Sequence, residues 1–111
     1  MKRTILLAAL LALGGCGTPI PFDGQTADGE RFSGTLTAEG RERGPLEMRN
    51  ADGVTCTGSW QLDTDLRGAA FLMCSDGRTG TAELSSLETP GKMRGMLGGR
   101  PFKGTYERSP F

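Results

Sequence analysis

The chain has 111 residues, with 13 Lys plus Arg, 13 Asp plus Glu, no His, three Cys and 18 Gly. A balanced charge argues against nucleic acid as a partner, which wants a basic face, and a chain without histidine lacks the commonest general base and metal ligand. The length suits one small domain, whose modest core benefits from a covalent staple.

Lys2 and Arg3 precede an unbroken apolar run of nine residues from Ile5 to Leu13. A membrane-spanning helix needs about 20 residues; this run has the length of a secretory signal core. It ends in Leu13-Gly14-Gly15-Cys16, with small residues before a cysteine. These four residues resemble the lipobox of bacterial lipoproteins. The resemblance implies that the signal peptide, residues 1–15, is removed. It also implies that Cys16 carries a diacylglyceryl thioether and an amide-linked acyl chain such as palmitate. Several acyl chains hold a protein on a membrane where one binds marginally. In lipoproteins an Asp after the anchor favours the inner membrane; here Gly17 follows. The expected address is therefore the outer membrane of a Gram-negative cell, on its periplasmic side. Residues 16–28, rich in Gly, Pro and Thr, are expected to be the anchor and a flexible tether reaching up to roughly 40 Å. The β domain is expected over 29–111. After cleavage, 11 Lys plus Arg (13 minus Lys2 and Arg3) face 13 Asp plus Glu, a net charge of −2.

A repeat follows. Ala27-Asp28-Gly29, Ala51-Asp52-Gly53 and Ser75-Asp76-Gly77 stand 24 residues apart, twice. Each precedes a similar segment: Phe32-Ser33-Gly34-Thr35-Leu36, Cys56-Thr57-Gly58-Ser59-Trp60 and Gly80-Thr81-Ala82-Glu83-Leu84. A slipped copy reads Phe102-Lys103-Gly104-Thr105-Tyr106. Asp-Gly is a strong hairpin signal. Apolar residues keep even parity on both sides of each turn, so an odd, three-residue loop is required. Gly53 and Gly77 then take the left-handed position, Met48 faces Cys56 and Leu72 faces Gly80. In the middle hairpin Cys56 faces Cys74, Trp60 faces Ala70 and Leu62 faces Gly68, with the loop at Asp63 to Arg67. Large residues meet small ones throughout, which suits close packing. A Cys56–Cys74 disulfide is expected. The alternatives, a metal site or a reactive thiol, are disfavoured because two isolated cysteines make a poor metal site.

The even face collects Phe32, Leu36, Leu46, Met48, Cys56, Trp60, Leu62, Leu72, Leu84, Met96, Phe102 and Tyr106; the odd face is polar. The expected fold is all-β, an antiparallel meander of seven or eight short strands. It forms a strongly curved sheet or a small closed barrel, because one sheet cannot bury its apolar face unaided. Phe32-x-Gly34-x-Leu36, Cys56-x-Gly58-x-Trp60 and Phe102-x-Gly104-x-Tyr106 resemble the aromatic-x-Gly-x-aromatic core of MORN repeats, over roughly residues 29 to 108. The resemblance implies a scaffold or interaction module. Cys56, Gly80 and Ala82 depart from the pattern and weaken any specific inference from it.

No catalytic group stands out. Lys92 and Lys103 have no obvious nucleophile beside them, and Asp63 and Asp65 read as solvated turn residues. Asp28, Asp52 and Asp76 are explained by turn geometry, and Met48 and Met96 by core packing. No cofactor or metal is expected. Phe71 and Met73 break the pattern, being apolar on the polar face of a central strand. They form an exposed partner contact, or Ile20-Pro21-Phe22 or Phe111 folds over them. The functional expectation is a non-catalytic envelope lipoprotein. It is tethered through Cys16 and binds an envelope protein or component. The alternative is an inhibitor of a hydrolase or a carrier of a lipid-like ligand.

Overall fold

Four hairpin connections share one geometry. Thr26, Asn50, Asp63 and Cys74 donate their amides to the carbonyls of Glu30, Val54, Arg67 and Arg78 at 3.0, 3.1, 2.7 and 2.8 Å, closing three-residue loops. In the Asp-Gly copies the last loop residue takes positive φ, as expected: Gly29 at 95°, Gly53 at 86° and Gly77 at 94°. The fourth copy places Leu66 there, at φ 62°, a conformation that glycine adopts without the Cβ penalty.

This computed structural model describes residues 17–39, 43–63 and 65–107; Cys16 and Phe111 lie outside them. The strands are β1 (Thr18–Thr26), β2 (Arg31–Ala38), β3 (Arg43–Arg49), β4 (Thr55–Leu62), β5 (Arg67–Cys74), β6 (Thr79–Ser85), β7 (Gly91–Leu97) and β8 (Arg100–Tyr106). Each pairs antiparallel with the next, and β1 pairs with β8, which closes the barrel. The all-β meander with a Cys56–Cys74 disulfide is therefore a closed eight-stranded barrel. Met48 faces Cys56, Cys56 faces Cys74, Trp60 faces Ala70 and Leu72 faces Gly80, the register read from the sequence.

The even side chains fill the interior. Phe32, Leu36, Leu46, Met48, Cys56, Trp60, Ala70, Leu72, Leu84, Phe102 and Tyr106 are all buried. An interior of eight strands is just wide enough for side chains to fill, and glycines facing inward make the room. A Cβ on Gly34 would lie 1.9 Å from the Glu47 carbonyl oxygen, and one on Gly58 1.6 Å from that of Phe71. At these points neighbouring strands approach more closely than any side chain allows, and the sheet curls.

Two expectations are corrected. Residues 17–28 are not a tether: Thr18–Thr26 form β1, with Ile20, Phe22 and Thr26 buried. The domain thus begins at 17 or 18 rather than 29. The physical reason is closure, since β1 supplies the hydrogen bonds that β2 and β8 would otherwise leave unpaired. Met96 is not core. It is 46% exposed, whereas Met93 and Leu97 are buried. Parity shifts across residues 86–90, which contain a cis Thr89–Pro90 bond, so β7 turns its odd residues inward. It shifts back at Gly98-Gly99, where both φ are positive (59° and 80°) and Leu97 pairs Arg100 in a two-residue turn.

Candidate functional site

The barrel has two ends. One carries the turns after β1, β3, β5 and β7; the other carries the start of β1 and the end of β8. The turn end is capped by an ion-pair cluster. Arg78 donates to both Glu30 carboxylate oxygens, at 2.7 and 2.8 Å, and to Asp76 at 2.9 Å. Its guanidinium carbon lies 5.7 Å from the centre of the buried Phe32 ring. Asn50 also donates to Glu30, at 2.8 Å. The Arg78 hydrogen bonds hold the Glu30 carboxyl below the usual carboxylate range, and Glu30 in turn pushes Arg78 up. Asp28 is lowered too, chiefly by the Thr26 hydroxyl and then by Arg100. At the opposite end the Trp60 indole donates to the Thr37 carbonyl at 3.2 Å, and the buried Ser86 hydroxyl lies 2.7 Å from that of Tyr106. These groups are satisfied by one another, so both clusters read as closures of the core.

Access lies on the outside. A shallow groove of roughly 810 Å³ crosses β3, β4 and β5. The inward glycines Gly44, Gly58 and Gly68 line it, because the wall dips where the strands curl. Pro45, Ser59, Ala69 and Phe71 also line it, together with the charged Glu39, Arg43, Asp63 and Arg67. Asp63 ties down its own turn by accepting the Asp65 and Arg67 amides at 2.8 and 3.2 Å. The groove thus combines two charges of each sign with the apolar Pro45, Ala69 and Phe71. That chemistry suits an amphipathic segment such as a peptide better than a lone ion.

Phe71 is 61% and Met73 70% exposed. Ile20 and Phe22 cannot cover them, being 7% and 2% exposed inside the barrel; Phe111 lies outside the described residues. Sequence reasoning missed a third member of this surface. The row Pro45, Ser59, Phe71, Thr81, Met96 and Pro101 is continuous, each residue being the cross-strand partner of the next. None of the six is charged. Met96 was legible in principle, because the Gly98-Gly99 turn alone reverses parity. The expected lipidation site, Cys16, lies outside the described residues. Among the described residues no three His, Cys, Asp or Glu side chains converge as metal ligands.

Among these residues no helix is long and apolar enough to cross a membrane, a statement that leaves barrels aside. The barrel itself is apolar inside and carries Arg31, Arg43, Glu47, Glu83, Arg94 and Lys103 outside. A membrane-spanning barrel has the reverse polarity.

No family model and no curated protein matches the chain. Several solved structures do. A de novo designed fluorescence-activating β-barrel superposes with a TM-score of 0.63 at 20% identity, over 82% of this chain and 91% of its own. A redesigned β-barrel bound to DFHBI gives 0.66 at 16% identity, over 84% and 94%. At these identities the likeness is one of fold.

Proposed function

We propose that this protein is a membrane-tethered, non-catalytic binding barrel of the bacterial envelope, with its contact surface on the outer wall of β4 and β5. The observation that carries the reading is the exposure of Phe71 and Met73 beside the glycine-lined groove. Each sits at a central strand position where a polar residue would serve the fold equally well. The address rests on Leu13-Gly14-Gly15-Cys16 and the apolar run before it. Residues 1–15 act as the signal, Cys16 carries the acyl chains, and the outer membrane of a Gram-negative cell is the destination. The groove supports an amphipathic protein segment as the ligand.

A photo-crosslinking residue at position 71 in intact cells tests this. We expect one discrete adduct, absent when the same residue replaces Lys103 on the opposite wall. A lack of any adduct at 71 sinks the binding role there. A second reading has one supporting observation. A similarly folded redesigned barrel is bound to DFHBI, so a carrier of a lipid-like molecule is the alternative. It requires a ligand to displace side chains such as Phe32, Met48 and Leu72, which occupy the interior here. Apolar dyes that gain no fluorescence with the protein would count against it.

A further inference from the structure

The wall opposite Phe71 has a different chemistry. In a closed ring of eight strands, β4 and β5 stand across from β8 and β1. On the β7–β8–β1–β2 side lies a groove lined by Arg31, Lys92, Arg94 and Lys103, with Asp23 as its one acid. Arg94 and Lys103 are direct cross-strand partners, and Gln25 alone separates Lys103 from Arg31 along the same row. Like charges placed opposite each other destabilise a sheet. No described carboxylate ion-pairs with Arg31, Arg94 or Lys103; Lys92 meets only Glu88, at 3.5 Å between two exposed groups. Glu83 faces Arg94 from β6 without an ion pair, so Arg31 and Lys103 are the cations of this cluster that have neither an acid as a cross-strand partner nor an ion pair.

The position of this cluster relative to the anchor is the second observation. β1, in the middle of the basic wall, begins at Thr18. Only Gly17 separates it from Cys16, a span of about 7 Å in extended chain. Cys16 thus joins β1 at the end remote from the Asp-Gly turns, and Gln25, between Lys103 and Arg31, lies seven residues further along the strand, about 23 Å. Lipid on Cys16 brings the basic wall to the headgroups when the barrel lies with β1 along the membrane.

We propose that the Arg31, Lys92, Arg94 and Lys103 wall docks on anionic phospholipid headgroups of the membrane that holds Cys16, which turns Phe71 and Met73 away from that membrane. The inference rests on the lipoprotein reading above. Basic side chains near an anionic surface are attracted over about a Debye length. With the barrel lying along β1, Phe71 on β5 stands on the far wall.

The test uses the mature acylated protein in phospholipid vesicles containing a nitroxide-headgroup lipid. Thr105→Trp reports on the basic wall and Phe71→Trp on the opposite one, each corrected for the native Trp60. With about one third phosphatidylglycerol we expect at least twofold more quenching at position 105 than at 71. The difference should vanish in pure phosphatidylcholine, at high salt, and in the Arg94→Gln/Lys103→Gln background. That double variant loses the like-charge facing of Arg94 and Lys103 together with the opposite-charge facing of Arg94 and Glu83, so it should fold about as well as the parent. Equal quenching at both positions, greater quenching at 71, or a 105 signal indifferent to phosphatidylglycerol overturns the docking. The mass of the mature chain separates the two readings. An unacylated Cys16 overturns the anchor and the docking together, whereas an acylated chain without the asymmetry overturns the docking alone.

Discussion

At the scale of single residues, the strongest electrostatic feature is Arg78. It reaches from the start of β6 across the barrel mouth to Glu30, 48 residues away in sequence. Bidentate pairing of this kind combines charge with fixed geometry. Its pH dependence has a definite sign. The Glu30 carboxyl is lowered in the folded state, so the stabilisation is fully present above its unfolded value of about 4.3. It is lost as pH falls through the lower, folded value. Asp28 acts in the same direction. Urea unfolding should therefore be nearly constant from pH 7 to 5 and weaken below about pH 4. Glu30→Gln should cost about 1 kcal/mol at pH 7, since the pair is partly exposed, and should flatten the acid limb. An unchanged acid limb in that variant would remove Glu30 from the account. None of this was legible in the sequence, because nothing in the order of residues says that Arg78 and Glu30 meet.

At the scale of elements, the middle hairpin was the most legible part of the chain. Its register followed from three constraints that agree: even parity, the Asp-Gly turns and the two cysteines. The Cys56–Cys74 bridge closes a separation of 18 residues, which in the chain-entropy model stabilises by about 3 kcal/mol. Replacing both cysteines by alanine should lower stability by about that much, and amide protection should fall first in β4 and β5. A loss below about 1 kcal/mol would mean that the reduced chain already holds this hairpin together. The strands at the two ends of the chain were read less well. β1 was missed although Ile20, Phe22 and Thr26 alternate before Asp28-Gly29 as Leu46, Met48 and Asn50 do before Asp52-Gly53. Its glycines and prolines resemble a linker by composition. β7 was assigned the wrong face because residues 86–90 carry no turn signature that sets parity.

At the scale of the whole molecule, closure decides what is exposed. β1 covers both remaining sheet edges and brings Phe22 against Phe102, with ring centres 6.2 Å apart. Deleting residues 17–26 should therefore abolish cooperative unfolding rather than lower its midpoint. Loss of the near-ultraviolet dichroism of Trp60 and Tyr106 would report it; a truncated chain that keeps a sharp transition would show β1 to be dispensable. Closure also sorts the outer wall into a neutral row at Phe71 and Met96 and a basic groove across the barrel, on which the two proposed contacts depend.

The sequence by itself determined the class of fold, the turn geometry, the central register and the disulfide, and it singled out Phe71 and Met73 while leaving open whether they are covered. These follow from local rules: side-chain alternation, turn chemistry and the reach of neighbouring strands. Only the tertiary structure decided that β1 belongs to the barrel, that Met93 and not Met96 faces inward, and that Arg78 caps one end. It also placed the basic wall on the side of β1. Each of these depends on which distant segments meet when the sheet closes. Closure is a property of all eight strands together.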